Sequence, residues 1–279
     1  MLSQDEAAEK LRDFQRNPVY ERRIVAFYDF LGWRSKIDEA GDDPEKIGNL
    51  RRVILRHSIA LHGQRQFSAP DTKVSTFSDN IVVSLPVNQV NVVHLLTTLG
   101  AFQFASAGGG FLVRGGVTVG KIHHDELSVF GPALNRAYEI ESRIAVFPRI
   151  VVDENVFDNG CHIPFFMRQE QGVRYIDPFT VQFVDVVSSI DREDAKDIYA
   201  TLGLPVSKRN LATVSSQAML AFALKALKPQ LRIPLGDKEW EKVAWVYDRI
   251  AEQLGVPPAR SYPRIRPEIQ LQEGQSHGD

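Results

Sequence analysis

Ile24-Val25-Ala26-Phe27-Tyr28-Asp29-Phe30-Leu31-Gly32-Trp33 places one carboxylate near the end of an almost wholly apolar run. Such a run, short and continuous, fits a strand buried on both faces of a sheet. An unpaired carboxylate there costs several kcal/mol, on the order of the penalty for an isolated buried ion. Something must compensate Asp29: a metal ion, an arginine, or exposure at the sheet edge. An aspartate capping the turn after its strand is the plainer alternative.

Downstream, Asp43-Pro44 reads as an N-cap followed by proline at the first helical position. Ile47, Leu50, Ile54 and Leu61 then form one helical stripe. Lys73 to Leu85 divides into two β-rich halves around Ser78-Asp79-Asn80, a tight hairpin. Val92, Leu95, Leu96, Leu99 and Phe102 mark a second helix, ended by glycines at 108–110. From Phe111 to Gly120 a strand sets Phe111, Val113, Val117 and Val119 on one side and Arg114, Gly116 and Thr118 on the other. A short strand near Leu127 to Phe130, a helix to about Ala145 and a strand from Arg149 to Val152 follow.

The order β-α-β-β-α-β is the ferredoxin-like arrangement. Beyond it, Val173 to Val184 reads as a β-rich return, with helices near 189–202, 208–227 and 237–254. Upstream, Leu2, Ala7, Leu11 and Phe14 recur at helical spacing. The expected division is a lead-in over 1–22, a core domain over 23–185, a helical extension over 186–256 and a loosely ordered tail over 257–279.

Composition narrows the class. At 279 residues, 43% hydrophobic and 24% charged, the chain is ordinary for a globular protein. A formal net charge of -2 gives no basic surface for a nucleic-acid backbone. No apolar run approaches the roughly 20 residues that span a bilayer, and the polar N-terminus does not read as a signal peptide. One cysteine, Cys161, allows neither an internal disulfide nor a thiolate metal site. The expectation is a cytoplasmic protein with no nucleic-acid or membrane partner.

Asp29 and Asp79 inform each other. In a β-α-β-β sheet the first strand lies beside the following hairpin, so the strand end and the hairpin tip can come together. Two acids so placed repel unless cations lie between them. A carboxylate pair holding two divalent ions is what in-line phosphoryl or nucleotidyl transfer uses. Gly32 suits close approach of the backbone to phosphates. His123-His124-Asp125-Glu126 makes a poor joint metal site, because neighbours on a strand point to opposite faces; it reads as a solvated turn.

The segment Phe27 to Trp33 resembles the F-x-D-h-x-G-F signature of class III nucleotide cyclases. Ser78-Asp79 is similar to their Gly-Asp hairpin, and Arg114-Gly115-Gly116-Val117-Thr118-Val119-Gly120 to their R-h-G-h-h-x-G strand. Val129-Phe130-Gly131-Pro132-Ala133-Leu134-Asn135 resembles their V-W-G-x-x-V-N element, and Pro148-Arg149-Ile150-Val151-Val152 the strand after it. The match covers about residues 22–157, in order. It implies an α+β fold with a ferredoxin-like βαββαβ core of the class III cyclase type and a helical C-terminal extension. It also implies that Asp29, the Phe30 carbonyl and Asp79 hold two Mg²⁺ or Mn²⁺ ions, and that Asn135 orients the ribose or contacts the nucleotide in the transition state. Each active site would lie across a homodimer interface, carboxylates on one subunit and Asn135 on the other. Pro132 sets Asn135 in the first turn of its helix, where free N–H groups favour anions.

Three positions depart from the family. Ser75 stands where adenylate cyclases carry a purine-reading lysine, and Ser128 where they carry the partner aspartate. Glu139 stands where a helix arginine supports the leaving group, so Arg136, taken as the catalytic partner of Asn135, or else Arg143 or Arg114 would have to substitute; Arg143 can instead simply pair with Glu139 at i, i+4. Loss of both purine-reading residues weakens purine discrimination, and the altered pocket resembles that of the bacterial antiphage pyrimidine cyclases. That resemblance implies a uridylate cyclase, less readily a cytidylate cyclase, whose product cUMP is read by a separate effector protein. A purine cyclase with a non-standard pocket and a non-catalytic nucleotide-binding domain are the alternatives.

Overall fold

The computed structural model describes residues 19–67, 71–158, 161–190, 215–233 and 235–264. The helix expected from Leu2 to Phe14 lies outside them, as do most of the one expected over 189–202 and the start of the one over 208–227.

β1 (Glu21–Leu31) pairs antiparallel with β3 (Asn80–Pro86), and β3 with β2 (Lys73–Phe77). β4 (Leu112–His124) lies on the other side of β1 and runs parallel to β6 (Ile150–Val152). A hairpin of β7 (Met167–Glu170) and β8 (Val173–Ile176) closes the sheet, giving the order β2-β3-β1-β4-β6-β8-β7. Its first four strands, 2-3-1-4, have the ferredoxin-like order expected, with helices in both crossovers. β5 (Val129–Phe130) pairs only with the far end of β4.

The caps follow local chemistry. Asp43 Oδ1 accepts from the N–H groups of Glu45 at 2.9 Å and Lys46 at 3.3 Å, and so opens α2 (Pro44–Phe67), which follows α1 (Trp33–Ala40). Asn88 Oδ1 accepts from Asn91 N at 2.8 Å at the start of α3 (Gln89–Gly108). α3 corrects the reading of apolar runs. Its 20 residues are, by length and composition, apolar enough to cross a membrane. Half of that stretch is buried within the protein, with Val92, Leu95, Leu96 and Leu99 inaccessible, as in a core helix.

α4 (Pro132–Glu139) covers the sheet at β1 and β4 and continues into one π-helical turn, Ile140–Ile144, closed by Ala145 N on Ile140 O at 2.8 Å. Its approach depends on glycine. A Cβ at Gly116 would stand 2.3 Å from the Ala137 carbonyl oxygen and 2.7 Å from Ile140 Cβ; one at Gly120 would stand 3.1 Å from Ala133 Cβ. Val25, Phe27, Val82, Ile122, Ala133 and Ala137 form the resulting core cluster.

The described residues divide into two compact units, one drawn from 1–96 and 114–176, the other from 97–113 and 177–279. The second unit holds α5 (Val181–Ile190), α6 (Ser216–Leu227) and α7 (Asp237–Leu254). α5 corrects the β-rich return expected up to Val184. The strand stops at Ile176, and Thr180 Oγ1 accepts from Phe183 N at 3.2 Å to start a helix despite its β-branched residues. The segment from Pro257 is also firmer than expected as far as residue 264. Ala259 is buried and its N–H bonds Asp248 Oδ1 at 2.6 Å, while Tyr262 packs edge-on against Tyr247.

Candidate active site

Alternation along β1 turns Val25, Phe27 and Asp29 toward α4. On the adjacent β4, Arg114, Gly116 and Gly120 face the same way. The helix therefore runs down the strand: Ala133 against Gly120, Ala137 and Ile140 against Gly116, and Glu141 against Arg114. The Arg114 guanidinium is 3.6 Å from Asp29 Oδ2 and makes a close ion pair with Glu141. Arginine is thus one of the compensations foreseen for Asp29.

Glu141 is the candidate-site residue the sequence reading missed. It is 3% exposed, against 20% for both Asp29 and Arg114. Burial, then the charge of Asp29, pushes its carboxyl up to about 7, with Arg114 pulling the other way. A carboxyl raised in the folded state favours the fold at low pH, and that contribution is lost as pH rises from about 4.5, where the unfolded group titrates, through about 7. Urea unfolding without added metal is expected to show stability falling across that window. Glu141→Gln, which mimics the protonated carboxyl, should flatten that slope.

Asp79 lies in a two-residue turn between the paired residues Phe77 and Asn80, with Ser78 at φ +56°. A non-glycine residue in that conformation costs about 1 kcal/mol. The register Tyr28 with Ile81 sets Asp29 and Phe30 one and two steps past the last paired residues, level with the turn carrying Asp79. Asp79 is half-buried, and its Oδ1 accepts from Asn80 Nδ2 at 3.3 Å. The side chain of Phe30 is buried and stacked on Trp33 at 5.4 Å, so only its carbonyl could serve a cation. Gly32 sits at φ +74° before α1, with open space where a Cβ would stand. The donors near this strand end are all oxygen, which suits Mg²⁺ or Mn²⁺. Among the described residues no three His, Cys, Asp or Glu side chains gather at one metal point.

Asn135 is exposed, and its side chain bonds no described residue. It lies on the side of α4 away from Ala133 and Ala137, so within one chain it does not face Asp29. An open groove of about 470 Å³ runs past it, lined by Pro132, Arg136, Tyr138, Glu139, Ser142 and Arg143. Arg136 is held to Asp153 by bonds of 2.9 and 2.8 Å and to Glu139 at 3.1 Å. The bonds to Asp153 raise its pKa, and Arg136 in turn lowers that of Asp153. Arg143, 78% exposed, stands 3.7 Å from the other Glu139 oxygen, the i, i+4 pairing foreseen. The charge of Glu139 is therefore met from both sides.

Ser75, half-buried on β2, is 3.0 Å from His124 Nε2; Ser84 Oγ is 2.8 Å from His124 Nδ1. This corrects the reading of His123 to Glu126 as a solvated turn. β4 continues past Gly120 to His124, which is 3% exposed, while His123 points to Asp125 at 2.8 Å. The turn proper is Asp125 to Ser128. Asp125 Oδ1 accepts from Leu127 N at 2.8 Å, Ser128 N at 2.6 Å and Ser128 Oγ at 3.1 Å. Slight burial works to raise the Asp125 pKa, but these bonds outweigh it and hold it at about 2.

No protein-family profile and no curated protein matches the chain. Among solved structures, the monomeric guanylyl cyclase domain of the RhoGC fusion protein from the aquatic fungus Blastocladiella emersonii is similar over 57% of this chain and 96% of its own, at 15% identity and TM-score 0.45. A rhodopsin–guanylyl cyclase catalytic core with converted specificity, in complex with ATPαS, is similar over 56% and 96%, at 14% identity and TM-score 0.42. A bacterial light-regulated adenylyl cyclase is similar over 68% and 60%, at 13% identity and TM-score 0.43.

Proposed function

We propose that this chain is a class III-type nucleotide cyclase that converts UTP, less readily CTP, to the 3′,5′-cyclic nucleotide and pyrophosphate. It works as a homodimer, and its product serves as an antiphage second messenger read by a separate effector protein. The observation that carries the reading is the register: the end of β1, with Asp29, lies level with the hairpin turn bearing Asp79. Five family-like segments in order supply the rest.

Asp29, the Phe30 carbonyl and Asp79 would hold two Mg²⁺ or Mn²⁺ ions, which supply activation of the 3′-oxygen and neutralisation of the triphosphate. Arg114 stands 3.6 Å from Asp29, and its charge also suits a phosphate oxygen. The open backbone at Gly32 leaves room for the phosphates. Asn135, facing outward, would complete the site of a second copy. Exposed Tyr138, which lines the same groove, supplies apolar surface for that contact.

Of the groove arginines, Arg143 is the one able to reach a pyrophosphate, because Arg136 is committed to Asp153. Arg143→Ala is expected to lower turnover at least roughly tenfold, the scale for one charge-stabilising donor, with an unchanged melting temperature. Arg136→Ala should instead lower the melting temperature by roughly 2–4 °C, the loss of about 1 kcal/mol from a half-exposed ion pair. Kinetics and thermal melts on both variants check this division.

Purified protein incubated with each of the four nucleoside triphosphates and Mn²⁺, followed by separation of products, tests the function. Cyclic UMP in excess is expected. Cyclisation of ATP or GTP alone would contradict the pyrimidine assignment; thermal stabilisation by nucleotide without any product would mark a non-catalytic domain.

A further inference from the structure

In the proposed function two positive charges want Asp29: a divalent cation and Arg114. Arg114 Nη2 makes a close ion pair with Glu141 and stands 3.6 Å from Asp29 Oδ2, too far for a hydrogen bond between those atoms. The guanidinium is therefore bonded to Glu141 and merely adjacent to Asp29. Its demand for acceptors is not met, however. The Nε–H of Arg114 is buried with no acceptor among the described residues, and a guanidinium has five N–H groups to place. Asp29 is the next carboxylate within reach.

The fold fixes Glu141 in that position. It belongs to the π-helical turn that follows α4 and is 3% exposed; single π turns recur at functional sites. Ile140, the residue before it, packs so closely on Gly116 that a Cβ there would stand 2.7 Å from Ile140 Cβ. Arg114 lies two residues before Gly116 on the same side of β4, so one contact sets both members of the ion pair. Stability alone does not call for such a pair, because apolar side chains of similar volume usually replace a buried ion pair without loss.

We infer that Glu141 is a positioning residue for the cation site: it holds Arg114 back from Asp29 and so keeps the Asp29 oxygens open to a divalent cation. Without Glu141, Arg114 closes the gap and bonds Asp29 directly. It then occupies lone pairs that the cation needs, and its charge repels the ion. Glu141 itself touches neither cation nor nucleotide. The inference deepens the proposed function and rests on its assignment of Asp29 and Asp79 to the cations.

The test is a titration of the full-length chain with Mn²⁺ alone, free Mn²⁺ being read by electron paramagnetic resonance, beside a thermal melt of each variant. Wild type should bind Mn²⁺, and Asp79→Ala should weaken that binding. Glu141→Met, which keeps the volume and withdraws the acceptor, should weaken it about 10- to 100-fold, the scale for a group that orients a metal ligand. Glu141→Gln, which keeps a weaker acceptor, should fall between, and it carries the test if Glu141→Met does not fold. Arg114→Met combined with Glu141→Met should return binding close to the wild-type level, because the competitor is gone, and the apolar pair should fold. Mn²⁺ binding unmoved by the Glu141 substitution in folded protein overturns the inference and leaves the cation assignment intact. So does a double variant as weak as Glu141→Met, which would make Glu141 a ligand in its own right. A wild-type chain that binds no Mn²⁺, or binding that ignores Asp79→Ala, overturns the cation assignment as well.

Discussion

Asp79→Ala is expected to slow cyclic nucleotide formation roughly 10²- to 10³-fold with no loss of fold. Removing one carboxylate of the proposed cation pair withdraws several kcal/mol of charge stabilisation, and each 1.36 kcal/mol is a factor of ten in rate. The fold should be indifferent. Asp79 lies in a turn, and its hydrogen bond is a 3.3 Å contact with its own neighbour. Asp29→Ala should be equally inactive but less neutral for stability, because it also deprives Arg114 of a partner. Initial rates with Mn²⁺, beside thermal melts of each variant, separate the two effects. An Asp79→Ala chain with full activity contradicts the cation assignment.

The largest structural effect is expected from Gly116→Ala. The added methyl would lie 2.3 Å from a backbone oxygen of α4 and 2.7 Å from Ile140 Cβ, so the helix itself must move. Overpacking that displaces backbone costs about 3 kcal/mol or more, which lowers the melting temperature by roughly 6–12 °C for a domain of this size. Gly120→Ala, whose methyl meets Ala133 Cβ at 3.1 Å, is the mild companion, with a loss of about 1 kcal/mol. Because Glu141 follows Ile140 in the same turn, the Gly116 variant should also lose its hold on Arg114 and thus activity. A chain that melts like the wild type would mean that α4 does not seat on these glycines.

Much of this arrangement was legible in the residues. The hairpin turn at 78–79, the Asp43-Pro44 cap and the helix over 237–254 lie where local chemistry put them. The side-by-side placing of Asp29 and the hairpin follows from β-α-β-β connectivity and needs only the strand order. Glu141 escaped because acidic residues near the end of a helix usually face water. The signal was there nonetheless: Ala133, Ala137, Ile140 and Glu141 fall at i, i+4, i+7 and i+8, one continuous inward stripe. His124 escaped for another reason. Its burial depends on β4 running on beyond Gly120 to pair with β5, a tertiary event that the polar run His123 to Glu126 hides. The helix at Val181 was hidden by its β-branched composition, which reads as strand until Thr180 is recognised as its cap. The commitment of Arg136 to Asp153 joins residues 17 apart in sequence, and no local pattern announces such a pair.

The proposed activity requires one site shared by two chains, since Asn135 faces away from the sheet that carries its own Asp29. Asp79→Ala and Asn135→Ala proteins should each be inactive alone. Mixed and allowed to exchange subunits, they should recover about a quarter of wild-type activity, because half of the dimers are mixed and each holds one intact site of two. Recovery near that level is the predicted result; a mixture as inactive as its components, in dimers shown to have exchanged, would contradict it.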